Sequence, residues 1–255
     1  MTLTITPIYG IPDILPGDQL GNIIINAIVD NNVSLENGDI LVITQKIVSK
    51  SENCYVSLLE VNPSTEALIL AREAQKDPRI VELILRESKK ILRVRPGLLI
   101  VEHRLGFICA NAGIDQSNTK GERGNSDETV LLLPENPDLS ALNIREIIQQ
   151  HFKINAGILI IDSFGRAWRL GTIGTAIGLS GLPGLIDLRG VPDMFGRKLQ
   201  TTEIGAADEL ASAASLIMGQ AAERVPVVHV HGFPYPLREA NYLELIRTVE
   251  TDLFR

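Results

Sequence analysis

Aromatic side chains are scarce here: they make up 4% of the 255 residues, so a core must rest on Ile, Leu, Val and Ala. The two cysteines, Cys54 and Cys109, form neither a C-x-x-C pair nor a zinc spacing. They read as free thiols of a reducing compartment. No basic region followed by an apolar core opens the sequence, so no signal peptide is expected. No uninterrupted apolar run is long enough to span a bilayer. These absences point to a cytoplasmic protein with no membrane partner. Excess positive charge is also missing. The net charge of −7 argues against nucleic acid as a partner. It leaves room for an anionic small molecule, because local arginines can outweigh the global balance.

Three catalytic signatures are absent. Without G-x-x-x-x-G-K-S/T there is no P-loop, and without G-x-G-x-x-G a Rossmann dinucleotide site is not expected. Ser163 lies outside any G-x-S-x-G elbow, which excludes a serine hydrolase of that kind.

What is present is a mixed α/β pattern, read as one domain over residues 1–255 with room for two interleaved subdomains. Residues 3–9 alternate as a short strand, and Gly10–Asp18 is a loop with two prolines. Leu20–Val29 has helical spacing, and Ile40–Thr44 is a buried strand running into Gln45–Lys50. Asn62-Pro63 and Asp77-Pro78 are helix starts, the second helix reaching about Leu92. Leu98–Glu102 and Phe107–Ala110 are strands around an Arg104-Leu105-Gly106 turn, and residues 117–129 form a polar loop. Asp138–Phe152 is helical, with Asp138 or Ser140 as cap. A Gly- and Pro-rich loop covers Gly181–Lys198. Helix Glu203–Met218, strand Val225–Val230 and helix Glu239–Phe254 complete the chain.

The most informative stretch runs from Ile160 to Gly181. An apolar strand ends in Asp162 and Ser163, two hard oxygen donors of the kind Mg²⁺ and Mn²⁺ prefer. Arg166 and Arg169 follow, with planar forks for phosphate or carboxylate. Gly165, Gly171, Gly174, Gly178 and Gly181 let backbone come close to a ligand. The plainer reading is a strand, a turn and glycines at helix–sheet contacts. Asp115, in N-A-G-I-D-Q-S-N, also follows a strand. Two such acids are the minimum for metal-assisted phosphoryl chemistry, although a lone Asp here more often caps a turn. Lys50 is a point charge for phosphate or an ordinary surface lysine. His229 and His231 share one face of a late strand and have no matching metal spacing.

I-D-S-F-G-R-A-W-R-L-G, N-A-G-I-D-Q-S-N, Q-K-I-V-S-K-S-E and D-M-F-G-R-K-L-Q-T-T-E-I-G-A-A-D-E-L-A-S-A-A-S-L-I-M-G together resemble the γ-glutamyl ligases of coenzyme F(420), the deazaflavin redox cofactor. The resemblance covers Gly10 to about Gly232. It implies an unusual two-subdomain α/β fold without a P-loop, assembled as an intertwined homodimer. It also implies a GTP-dependent ligase that joins L-glutamate to F(420)-0 through an acyl phosphate, with Mn²⁺ or Mg²⁺ and often K⁺. By the same resemblance Asp115, Asp162, Ser163 and Gln220 are metal ligands, and Asp115, Asp162 and Lys50 are catalytic. Ile11, Pro12, Asp13, Ile14, Gln45, Lys50, Asn118, Gly219 and Gln220 contact the nucleotide, where Gly219–Glu223 matches a more glycine-rich loop. Arg189 and Arg197 are candidates for holding glutamate. A same-fold GTP and metal ligase for another carboxylic acid, and a non-catalytic nucleotide-binding regulator, stay open beside this reading.

Overall fold

The computed structural model describes residues 2–116 and 128–252. Its centre is a five-stranded sheet, and the apolar runs dictate where the middle strands lie. In β2 (Ile40–Thr44) the first four residues are buried, as are the first five of β8 (Gly157–Arg166). Continuous burial of this kind requires cover on both faces. The two strands pair in parallel, Ile40 opposite Gly157 and Thr44 opposite Ile161. β12 (Val227–His231) runs antiparallel to β2, and β1 (Thr4–Pro7) lies antiparallel outside it. β9 (Arg169–Ser180) turns back antiparallel on β8 and completes the order β1-β12-β2-β8-β9.

Helix α1 (Leu20–Asp30) buries its Leu20, Ile24 and Ile28 stripe, and Gly21 brings it tight against Ile147 of α5 (Pro137–Phe152). β9 is an edge strand, and its outward N–H groups are taken up by side chains. Gly174 N donates to Ser215 Oγ at 3.2 Å, Ala176 N to Asp208 Oδ1 at 2.9 Å, and Leu179 N to Asp138 Oδ1 at 2.7 Å. Satisfying an exposed edge in this way blocks edge-to-edge pairing. Ser215 and Asp208 belong to α6 (Ala206–Met218) and Asp138 to α5. Three smaller sheets surround the centre. β3 (Tyr55–Ser57) pairs with β7 (Thr129–Leu131), and β4 (Ser88–Arg95), β5 (Leu98–His103) and β6 (Ile108–Ala110) form a meander. The last is the short pair β10 (Ile186–Asp187) and β11 (Glu203–Ile204). Helices α2 (Gln45–Ser51), α3 (Thr65–Ala74) and α4 (Pro78–Arg86) lie between β2 and the meander in sequence.

Several expectations are corrected. The Asp77 helix stops at Arg86, and Ser88–Arg95 is strand, because Gly97 at φ 79° turns the chain back onto Leu98–His103. Ser64, rather than Asn62, caps α3 by accepting from Ala67 N. Asn136 caps α5, which frees Asp138 for the β9 edge. Glu203 and Ile204 are strand, so α6 begins at Ala206. The expected C-terminal helix is replaced by 3₁₀ turns at Tyr242–Leu245 and Val249–Thr251. There Asn241 Oδ1 accepts from Leu243 N, and Thr251 Oγ1 donates to Thr248 O; such local bonds compete with a regular helix. Gly174 and Gly178 serve packing, while a Cβ on Gly165 or Gly171 would meet nothing within 4 Å. A Cβ on Gly174 would meet Ala211 O of α6 at 2.3 Å, and one on Gly178 would meet Pro137 Cβ of α5 at 2.4 Å. No helix among the described residues is long and apolar enough to cross a membrane.

Candidate functional site

The parallel register fixes the site. β2 ends at Thr44, whose backbone is extended, and α2 begins at the next residue. With Thr44 opposite Ile161, Gln45 comes beside Asp162 of β8. Asp115 reaches them from a third segment. Asn111, Ala112 and Gly113 take positive φ values of 49°, 53° and 64°, a sharp turn that non-glycine residues rarely adopt. Asp115 then exchanges two backbone hydrogen bonds of 2.9 Å with Leu131.

Gln45 is buried and ties the acids together. Its Nε2 donates to Asp115 Oδ2 at 2.7 Å, and its amide stands near enough to the Asp162 carboxylate to favour the charged form. Ser49, one turn along α2, donates to Gln45 Oε1 at 2.9 Å and fixes the amide's orientation. Lys46 Nζ stands 3.3 Å from Asp115 Oδ1. Burial, and then the neighbouring Asp115 charge, push the Asp162 carboxyl up to about 6. The Ser163 N–H, Lys46 and Gln45 act against that rise.

Around this centre stand three other groups. Ser163 Oγ donates to Gln220 Oε1 at 2.8 Å, so β8 meets the loop after α6 beside Asp162. Burial lowers the Lys50 ammonium, against the raising charges of Asp13 and Asp115 and with the lowering charge of Lys46. Asp13 also acts on Tyr55. Thus the Ile11–Ile14 loop approaches Lys50, with Ile14 buried and Pro12 and Asp13 exposed. In the 219–223 loop Gly219 has φ 73°, and its missing Cβ leaves room for the Glu223 side chain at 2.2 Å. Ala221 N donates to Glu223 Oε2 at 2.8 Å, and backbone N–H groups, Ala221 first, hold that carboxyl below its ordinary value. Convergent N–H groups of this kind suit an oxyanion.

The donors are all hard oxygens: two carboxylates, an amide and a hydroxyl. Among the described residues no group of three His, Cys, Asp or Glu side chains is placed to hold a metal. The carboxylate pair still suits Mg²⁺ or Mn²⁺, which use one or two carboxylates and complete their shell with water and phosphate. The two acids stand close enough for Asp115 to raise Asp162, and a cation between them would relieve that repulsion.

This geometry belongs with a sequence match. The profile of the F(420)-0:gamma-glutamyl ligase family matches residues 10–232. The chain belongs to that family. It is 44% identical over 221 residues to the coenzyme F(420):L-glutamate ligase of Methanococcus maripaludis strain C6, covering 87% of this chain and 86% of the relative. The ligase of the same name from Methanothermobacter thermautotrophicus is 42% identical over 257 residues, covering 100% of both chains. That of Methanopyrus kandleri is 42% identical over 260 residues, covering 100% of this chain and 98% of the relative.

Within this ligase-family chain the fold brings together Asp115, Asp162, Gln45 and Lys46, and sets Ser163 with Gln220 next to them. Asn118 lies outside the described residues. Arg189 pairs with Asp187 at 2.6 Å and Glu203 at 3.2 Å. His229 and His231 both turn onto the buried Asp39 carboxylate, at 2.7 and 2.8 Å, and serve the sheet. Sequence reasoning gave no specific role to Ser49 or to the Lys46–Asp115 pair, nor did it single out Tyr55. The i, i+4 spacing of Gln45 and Ser49 on a helix was the available signal for the first.

Proposed function

We propose that the protein is a ligase that joins L-glutamate to the carboxylate of F(420)-0 with GTP and a divalent cation. The observation that carries this reading is the Asp115–Gln45–Asp162 cluster at the adjoining ends of β2 and β8, in a chain of this ligase family. The matched relatives carry the name coenzyme F(420):L-glutamate ligase over the whole length of this chain.

A free carboxylate is a poor electrophile. In the first step a carboxylate oxygen of the acid attacks the γ-phosphorus of GTP, and GDP leaves, giving an acyl phosphate. In the second step the glutamate amine attacks the acyl carbon, loses a proton, and inorganic phosphate departs from the amide. Asp115 and Asp162 would hold Mn²⁺ or Mg²⁺, with Ser163 and Gln220 alongside; the cation supplies charge neutralisation on the phosphates. Lys50 adds a fixed positive charge near the Ile11–Ile14 loop, where negative charge moves during transfer. Gln45 holds the two acids at their spacing before the substrates arrive. The 219–223 N–H groups, taken up by the Glu223 carboxylate, would hold a nucleotide phosphate once that side chain moves aside, and K⁺ is a further cation of the reaction.

The same reading includes a homodimer. Trp168 and Leu170 at the β8–β9 hairpin tip are 87% and 98% exposed, and Met194 and Phe195 of the 186–204 arm 88% and 87%. Large apolar side chains so exposed fit cover by a second copy. The test of the site is calorimetric titration of GTP with Mn²⁺. The purified protein is expected to bind GTP only with the cation. Asp115→Asn and Asp162→Asn are expected to lose that dependence, and unchanged binding in both variants contradicts the assignment.

A further inference from the structure

Three buried side-chain polar atoms lack a hydrogen-bond partner among the described residues: Tyr55 Oη, His103 Nε2 and Arg166 Nη1. His103 Nε2 at least faces Glu87 at 3.6 Å. Arg166 lines a cavity of about 410 Å³ next to the β8–β9 hairpin. A buried guanidinium N–H without an acceptor is costly, and an incoming oxyanion removes that cost.

The walls of this cavity are apolar and aromatic on one side and carry Asp208, Asp252 and Arg247 beside them. Phe107 and Phe164 pack at a tilt of 45° with centroids 5.1 Å apart, and Ile173 and Leu245 line the same space. Arg247 stands at the mouth, its Nη1 3.5 Å from Thr251 O. Alternation along β8 puts Asp162 and Phe164 on one face. The opposing residues agree: Phe107 lies against Phe164, and Cys109, two residues on, feels the Asp162 charge. A register irregularity between Gly165 and Arg166 then bends the strand, and Arg166 lines the same cavity as Phe164, which lies two residues beyond Asp162. Three residues of strand lie between Asp162 and Arg166, and the four steps span at most roughly 13 Å at the usual rise.

A ligand that uses both ends needs a carboxylate at the Asp115–Asp162 end, a flat apolar body for the phenylalanine walls, and a second anionic group for Arg166. Free L-glutamate has no ring for those walls. The cavity volume falls in the range of small-molecule sites. We propose that this cavity seats the body of the acid substrate, a ring-bearing dianion, with Arg166 as the partner of its second anionic group. This rests on the ligase reading above, with F(420)-0 as the acid.

The test measures equilibrium binding of F(420)-0 through its deazaflavin fluorescence, together with KM values for F(420)-0 and L-glutamate, in the full-length protein. Arg166→Gln is expected to weaken F(420)-0 binding by about tenfold or more while the GTP affinity and the glutamate KM hold. Arg166→Lys keeps the charge and loses the planar fork, so a smaller loss is expected, and it carries the test if Arg166→Gln does not fold. Phe164→Leu is expected to weaken F(420)-0 binding without moving the GTP affinity. Binding of F(420)-0 at wild-type strength in folded Arg166→Gln overturns the inference and leaves the ligase reading standing. So does a rise in the glutamate KM alone. Failure of the wild-type protein to bind F(420)-0 overturns both.

Discussion

The Gln45 amide donates to Asp115 Oδ2 at 2.7 Å while Ser49 Oγ holds its carbonyl end at 2.9 Å. The amide is thus fixed on both sides, and it also acts on the Asp162 carboxyl, holding it down against burial. A buried amide in this position offsets the repulsion of two carboxylates, and its loss strands Asp115 and Ser49 at once.

Gln45→Ala is therefore expected to destabilise the metal-free protein by about 1–3 kcal/mol, the cost of unsatisfied buried polar groups. Urea unfolding with and without Mn²⁺ measures it. The cation is expected to recover part of the loss, since it supplies the same carboxylates with a counter-charge.

The glycines of β9 give a sharper contrast. Gly174→Ala and Gly178→Ala place a methyl group 2.3 Å from Ala211 O and 2.4 Å from Pro137 Cβ, where backbone and a rigid ring must move. Each is expected to cost about 1–3 kcal/mol or more. Gly165→Ala meets nothing within 4 Å and has no positive φ, so its unfolding curve is expected to match the wild type within about 0.5 kcal/mol.

Much of this architecture could be read from sequence before any coordinates. The apolar runs at Ile40 and Ile158 announce buried strands, and Asp77-Pro78 announces a helix start. Asp115 and Asp162 stood out because each follows a strand and offers the hard oxygens that Mg²⁺ and Mn²⁺ prefer. What could not be read was pairing. Only the parallel register of β2 and β8 places Gln45 beside Asp162, and register is a property of two distant segments. The train of glycines carried the same ambiguity. Close approach to a ligand and close approach to a helix both need a missing Cβ, and the structure assigns Gly174 and Gly178 to the helices. The error at Glu239–Phe254 has a local cause, in Asn and Thr side chains that bond their own backbone.

Both thiols are expected to be unreactive in the folded protein. Burial pushes Cys109 up to about 12 and Cys54 up to about 11, so little thiolate exists at pH 8. Iodoacetamide labelling at that pH is expected to be slow in buffer and fast in denaturing urea. Rapid labelling of the native protein contradicts the burial.

Acid stability should show the Arg238–Glu244 pair. Its oxygens sit 2.6 Å and 2.8 Å from the guanidinium, and Glu244 Oε2 also accepts from Gly184 N and Leu185 N. The Arg238 bond first, against some burial, holds the Glu244 carboxyl below its ordinary value of 4.5. A depressed folded value gives stability that is present above the unfolded value and lost as pH falls through the folded one. Glu244→Gln is thus expected to melt below the wild type at pH 7, with the two melting curves converging below about pH 4. A difference that persists in acid contradicts the pairing.

The central claim is ligation. Purified protein with GTP, Mn²⁺, L-glutamate and F(420)-0, followed by mass spectrometry of the deazaflavin, tests it directly. The account predicts a gain of one or more glutamyl units that requires both GTP and the cation and disappears in Asp162→Asn. An unchanged deazaflavin mass in the complete mixture, from protein that binds GTP, would contradict it.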